Sequence, residues 1–289
     1  NPVREPLSKP VKEEEGAQAR AAISDQVFGE LLTALGRDPE RSRTALDAIR
    51  AAAAPGARIA MIRGDLALMA DAARMADDVL ALGLPIHALC NNAGGVRAER
   101  IISAEGLEAT FAGNHLGHFL LTRRLMPRLV ETARATPPGT VRIVNVSSEG
   151  HRAAPEFDWD DLQRIASWNS GRAYCLAKLC NVLFTRELAR RHAADGIVAH
   201  AMHPGEADTN FASHAEPGMQ AYMATLSMIP PEVGGHTLAW LAASDEAGRT
   251  TGGYFFDCQP LAPAPAALDD APAARLWAGS EAPLARCGY

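Results

Sequence analysis

The chain has 289 residues, 47% of them hydrophobic and 21% charged, with a formal net charge of −6. That length holds one large domain or two small ones, and the composition excludes intrinsic disorder. No basic run stands out, which argues against nucleic acid as the main partner.

No apolar stretch reaches about 18 residues without a charge, so no membrane span is expected. The opening, residues 1–16, is polar and does not read as a signal peptide, although the chain does not begin with Met. The cysteines are Cys90, Cys175, Cys180, Cys258 and Cys287. None forms a CxxC pair, so neither a disulfide framework nor a zinc site is predicted. The usage fits a reducing cytoplasm.

In chain order, residues 1–28 form an atypical polar segment. Short apolar runs follow at 57–62, 86–91, 141–146, 197–202 and 253–257, each bounded by Gly, Pro or charge. They are largely apolar on both faces, as parallel strands are when helices cover both sides of a sheet. Helical stretches are predicted at 41–52, 67–82, 104–133, 172–192 and 231–243. The alternation predicts a single α/β domain over 29–259 with a Rossmann-like, doubly wound parallel sheet. Residues 208–230 read as irregular and carry Phe211, Met219, Met223 and Met228. The tail, 260–289, is rich in Ala and Pro and reads as an extended wrap.

Ligands of such sheets bind beyond the carboxyl ends of the strands. The polar residues of this chain collect there: Asp65, Asn91-Asn92-Ala93-Gly94, Ser147-Ser148-Glu149-Gly150 and His203-Pro204-Gly205. Tyr174 and Lys178, four apart on a predicted helix, share a face. A phenol with an ordinary pKa of about 10 is a poor base at neutral pH, and a neighbouring ammonium lowers it. The pair can then serve as a general acid or base; an ordinary helix-surface pair has the same spacing. A serine hydroxyl at 148 can donate to a substrate oxygen beside the tyrosine. Asn114, on a helix, can hold a water that links the lysine to solvent.

With these residues in this order, residues 29–257 resemble the short-chain dehydrogenase/reductase family. The segments NHLGHFLLT, VNVSSEGH and YCLAKLCNVLFTREL are most similar to its retinol-dehydrogenase-like branch. The resemblance implies reversible hydride transfer between a nicotinamide cofactor and an alcohol or ketone. It makes Tyr174 the proton donor or acceptor and assigns Ser148, rather than Ser147, to the substrate oxygen. Lys178 lowers the tyrosine pKa and holds the nicotinamide ribose, and Asn114 supports the proton relay. Asp65 contacts the adenine, while Asn91, Ala93, Gly94, Pro204 and Gly205 line the cofactor channel. Dimers or tetramers are usual in the wider family, so a homo-oligomer is compatible with it.

Gly36-Arg37-Asp38 matches the end of the family's second strand. Arg37 there can pair with a ribose 2′-phosphate, favouring NADP; the same residues also read as a loop followed by Pro39 at a helix start. The family's opening strand and Gly-x-x-x-Gly-x-Gly turn fit less well. Counting back puts the glycines at Lys12, Gly16 and Gln18, so only Gly16 matches. The preceding stretch holds Pro6 and Pro10, unsuited to a central strand. Glu13, Glu14 and Glu15 fall where a pyrophosphate would sit, although a shifted register brings Lys9, Lys12 or Arg20 there instead. Two readings follow. The first is an NADP-dependent oxidoreductase acting on an apolar small molecule. The second is a cofactor-independent isomerase, cyclase or dehydratase on the same fold.

The methionines and Phe211 suit an irregular apolar ligand, or packing against the tail or another subunit. His115 and His118 read as structural rather than as metal ligands. So does His203, while Asp158, Asp160 and Asp161 read as a solvated or capping loop. No metal is expected.

Overall fold

The computed structural model describes residues 31–289. Strand β1 (Leu31–Gly36) leads into helix α1 (Pro39–Ala52). Asp38 caps that helix by accepting from the N–H groups of Glu40 and Arg41, with Pro39 in its first turn. Strand β2 (Arg58–Arg63) pairs parallel with β1, and α2 (Met69–Ala81) follows. Strand β3 (Ala88–Asn91) leads through a short helical turn and a π-helical turn (Ala112–Leu116) into α3 (Gly117–Arg134). Next come β4 (Val141–Val146), α4 (Ser170–His192) and β5 (Ile197–Met202). Helices α5 (Pro217–Met223) and α6 (Pro231–Ala243) precede β6 (Tyr254–Phe256), β7 (Gln259–Pro260) and α7 (Asp270–Arg286).

Strands β3, β4, β5 and β6 run parallel in that order, with β7 antiparallel at the edge. Strands β4 and β5 are buried throughout. On β4, Val141 and Ile143 face the larger core and Val144 and Val146 the smaller one. Both faces of the strand are therefore dry, which is why four of its six residues are apolar and why Arg142 and Asn145 are buried with hydrogen-bond partners. The larger core joins α2, α3, α4 and α7, and the smaller one lies under α6.

The α/β layering is the predicted one, but the described residues form two hydrogen-bonded sheets. A cavity of about 810 Å³ is lined by Leu32, Thr33 and Leu35 of β1 and by Ile86, His87, Ala88 and Leu89 at β3. The sequence that would supply the family's opening strand, with its prolines and Gly16, lies outside the described residues.

Two segments differ from expectation. The tail is not an extended wrap: α7 spans Asp270–Arg286, capped by Asp269. Pro272 lies in its first turn, where no intrahelical N–H is needed, and Pro283 near its end. Ala273, Leu276, Trp277, Ser280 and Leu284 recur at helical spacing and are buried, mostly against α4. Segment 208–230 contains a 3₁₀ turn (Asn210–Ala212) and helix α5. Among the described residues, no helix is long and apolar enough to cross a membrane.

Candidate active site

The end of β4 and the second turn of α4 meet at the site. Ser147 is buried; its N–H donates to the Met202 carbonyl at 2.6 Å and its hydroxyl to the Lys178 carbonyl at 2.7 Å. It thereby ties β4 to α4 and is committed to the fold. Ser148, in extended conformation, caps the short turn Glu149–Ala153 by accepting from the N–H of Gly150 at 3.1 Å. Its hydroxyl also lies near enough to the Tyr174 phenol to lower that group's pKa.

Tyr174 is 8% exposed and stands edge-on to Phe211, ring centroids 5.0 Å apart. Val96 and Ala215 complete an apolar wall with Cys175, Phe211 and Met219. Burial pushes the phenol well above its ordinary value, and the neighbouring Ser148 hydroxyl offsets this only in part. The shift is thus opposite to the lowering expected from Lys178, whose ammonium lies 5.6 Å from the Tyr174 ring centroid. The phenol is therefore protonated at neutral pH.

Lys178 is 3% exposed and donates to the Val146 carbonyl at 3.1 Å. Burial lowers its pKa to about 8. Asn114 sits in the π-helical turn, a feature frequent at functional sites. Its amide donates to the carbonyls of Gly95, at 2.9 Å, and Thr110, at 2.8 Å, and accepts from the Gly95 N–H at 3.0 Å. This two-way clamp fixes the turn after β3. A Cβ on Gly94 would come 2.5 Å from Asn114 Oδ1 and 3.1 Å from Lys178 Nζ, so only glycine fits there. Ser148, Tyr174, Lys178, Asn114 and Gly94 are thus brought together at one sheet edge.

The remaining predicted residues divide. Ala93 and Gly94 are exposed beside that edge, but Asn91 is buried. Its amide donates to Thr122 at 2.9 Å and Asn145 at 2.8 Å, and Asn145 continues to Thr185 at 2.9 Å. This ladder crosses the sheet beneath the site. Asp65 and Arg37 meet at the ends of β2 and β1, their charged atoms 3.3 Å apart in a partly exposed pair. Pairs of that kind are worth about 0–1 kcal/mol, so Arg37 can exchange Asp65 for another anion at little cost. Pro204 and Gly205 follow β5 half-buried; Gly205 has φ +77 and a Cβ there would press on Ile229 and Phe256. Gly16 lies outside the described residues.

His115 Nδ1 lies 3.3 Å from Asn181 Oδ1 and Nε2 2.9 Å from the Ser280 hydroxyl. His118 Nδ1 is 3.2 Å from the Asn114 carbonyl. Burial holds both rings neutral, with pKa values lowered to about 4 and about 3. His203 stacks on Phe256 at 4.3 Å. Asp158 and Asp161 cap local N–H groups.

Gly150 is a site residue that the sequence reading did not single out. A Cβ there would stand 3.3 Å from Ser148 Oγ and 3.4 Å from both Cys175 Sγ and Tyr174 Cε1, so its lack of a side chain keeps the approach to both hydroxyls open. The signal was its place two residues after Ser148.

A nicotinamide cofactor is implied by the resemblance, and the residues present fit part of one. Lys178 is a buried cation beside exposed backbone at Gly94, and Arg37 is a displaceable cation at the far strand ends.

A family model for short chain dehydrogenases matches residues 22–160. The chain is 38% identical over 215 residues to human retinol dehydrogenase 13, covering 70% of this chain and 63% of that protein. It therefore spans less than two thirds of that relative's length. It is 32% identical over 252 residues to the mouse retinol dehydrogenase 13, covering 84% and 73%. The Pseudomonas aeruginosa RhlG/NADP active-site complex shares the fold, with TM-score 0.62 and 22% identity, over 82% of this chain and 88% of that one. The chain belongs to the short-chain dehydrogenase/reductase family, in its retinol-dehydrogenase-like branch.

Proposed function

We propose that the protein is an oxidoreductase that transfers a hydride between NADP(H) and the carbonyl or alcohol of an apolar small molecule, with Tyr174 as acid and base. The observation that carries this reading is the buried Tyr174 phenol, next to the Ser148 hydroxyl and backed by the Lys178 ammonium. Family membership supports hydride transfer over cofactor-independent chemistry, and RhlG, on the same fold, holds NADP.

Lys178, Ala93, Gly94, Pro204 and Gly205 would hold the nicotinamide end, and Asp65 and Arg37 the adenosine end. Arg37 would meet the 2′-phosphate by leaving its pair with Asp65. When bound, the cofactor supplies the hydride. Asn91 supports the channel from below through its bonds to Thr122 and Asn145. Ser148 donates to the substrate oxygen and holds it beside Tyr174. As negative charge grows on that oxygen, Tyr174 gives up its proton, and the Lys178 ammonium stabilises the phenolate left behind. A phenol that burial keeps protonated favours carbonyl reduction. Asn114 holds the turn against which Lys178 rests. The wall of Val96, Phe211, Ala215 and Met219 excludes water and selects apolar substrates.

The test is consumption of NADPH by the purified protein with a panel of aliphatic and polyene aldehydes. Turnover is expected with apolar members, and Tyr174→Phe should slow it by about 10²–10⁴-fold. No consumption at millimolar cofactor, or an equally active variant, would overturn the reading.

A further inference from the structure

The buried amide of Asn181 has no part in the steps above, yet it bonds the carbonyls on which the site rests. It follows Lys178 by three residues on α4, so the two side chains leave neighbouring positions of one face. Its Nδ2 donates to the Asn114 carbonyl at 3.0 Å and to the Val146 carbonyl at 3.2 Å. The Val146 carbonyl also receives the Lys178 ammonium, at 3.1 Å. On its other side, Asn181 Oδ1 accepts from His115 Nδ1–H at 3.3 Å, and His115 Nε2 accepts from the Ser280 hydroxyl at 2.9 Å. A flipped amide would set its oxygen against two carbonyl oxygens, so one orientation is selected, and with it the His115 tautomer that donates from Nδ1. Ser280 belongs to α7, so the C-terminal helix reaches the lysine's anchor through buried polar side chains.

We propose that Asn181 is a positioning residue for the Tyr174–Lys178 pair: its amide fixes the Val146 carbonyl that anchors the lysine and the Asn114 carbonyl in the neighbouring turn. The inference rests on the reductase reading. Two donors fill the two lone pairs of the Val146 carbonyl, so the ammonium is held at one point rather than sampling several. Without that amide the lysine's anchor and the turn of Asn114 can move independently. Misplacements of about 1 Å at such sites cost up to about 10²-fold in rate.

The protein has three lysines, Lys9, Lys12 and Lys178. The Lys178 side-chain resonance can therefore be followed in cofactor-free protein labelled with carbon-13 lysine, and assigned with Lys178→Met. In Asn181→Asp a carboxylate replaces the amide. Since both donors sit on one oxygen at 3.1 and 3.2 Å, it would lie within about 6 Å of the ammonium and raise its titration midpoint by about one to two pH units. Among the titratable side chains of these elements, His115, His118, Tyr174, Cys175 and Cys180 are kept neutral by burial at pH 7. The charged ones, among them Arg142 on β4 and Glu187 with Arg190 and Arg191 on α4, are common to wild type and variant. The same variant should lose about ten- to a hundredfold in kcat at little change in KM for the carbonyl substrate. Should it not fold, Asn181→Ser removes the double donation at smaller cost and should still lower kcat at least about tenfold. An unmoved Lys178 midpoint in a folded Asp variant, or kcat within about twofold of wild type in the Ser variant, would overturn the proposal. If wild type transfers no hydride at all, the reductase reading fails instead, and the resonance shift still reports on the positioning.

Discussion

Replacing Lys178 by Met should stabilise the protein at neutral pH and lose that advantage as the pH rises. The lysine's folded value of about 8 lies below its ordinary 10.5. Between those limits the unfolded chain carries a proton that the folded chain has released. Unfolding stability attributable to Lys178 therefore increases with pH across this window and is lowest below about pH 8. The gap corresponds to about 3 kcal/mol, at about 1.4 kcal/mol per pH unit. Lys178→Met keeps the aliphatic stem and removes the buried charge. It also gives up one hydrogen bond to the Val146 carbonyl, worth about 1 kcal/mol, while Asn181 still donates there. The variant should be more stable than wild type by about 2 kcal/mol at pH 7, or about 4 °C in Tm, and no more stable near pH 10.5. The buried Cys180 thiol, which burial pushes up in the fold, titrates within this range only in the unfolded chain. It is common to both proteins and cancels in the difference. The assay is paired urea or thermal unfolding from pH 7 to 10.5. A stability difference that stays constant across that range would refute the reasoning, because it would mean that the lysine keeps its ordinary pKa in the fold.

Gly150→Ala places a methyl group between Ser148, Cys175 and Tyr174; KM for bulky aldehydes should rise about tenfold while the smallest aldehydes are spared, as steady-state kinetics across a size series would show. Arg37→Ala should raise KM for NADPH by about ten- to a hundredfold and leave NADH almost unaffected, since one charge-assisted bond is worth about 1.5–3 kcal/mol. Equal effects on the two cofactors would remove Arg37 from the 2′-phosphate. Trp277→Ala should cost about 3–5 kcal/mol, because the indole packs 4.9 Å from Phe119 and carries the Arg191 guanidinium 4.3 Å from its ring. Denaturant unfolding measures it, and a loss under about 1 kcal/mol would show that α7 is not anchored there.

What the sequence disclosed was what is local or repeats along the chain. Strands β4 and β5 were legible because both faces are largely apolar, and α6 because its apolar run is bounded by Pro231 and a polar loop. Tyr174 and Lys178 were legible because their roles follow from residue type and a spacing of four. The C-terminal helix was missed because its prolines were weighed as breakers, whereas Pro272 occupies a turn that needs no N–H. The spacing of Leu276, Trp277, Ser280 and Leu284 carried the signal. The direction of the Tyr174 shift was not legible either, since it depends on how deeply Phe211, Val96 and Ala215 bury the ring. Asn181 stood one turn from Lys178 in the sequence, but its partners come from β4, the π-helical turn and α7, which only the fold assembles.

The central claim is that a protonated Tyr174, beside Ser148 and Lys178, completes a hydride transfer. Its most direct test is incubation with NADPH deuterated at the transferable position and an apolar aldehyde, with mass analysis of the alcohol formed. One deuterium per product molecule is expected with wild type, and with Tyr174→Phe a yield lower by at least about a hundredfold. Alcohol free of deuterium, no alcohol at all, or undiminished labelling by the phenylalanine variant would contradict it.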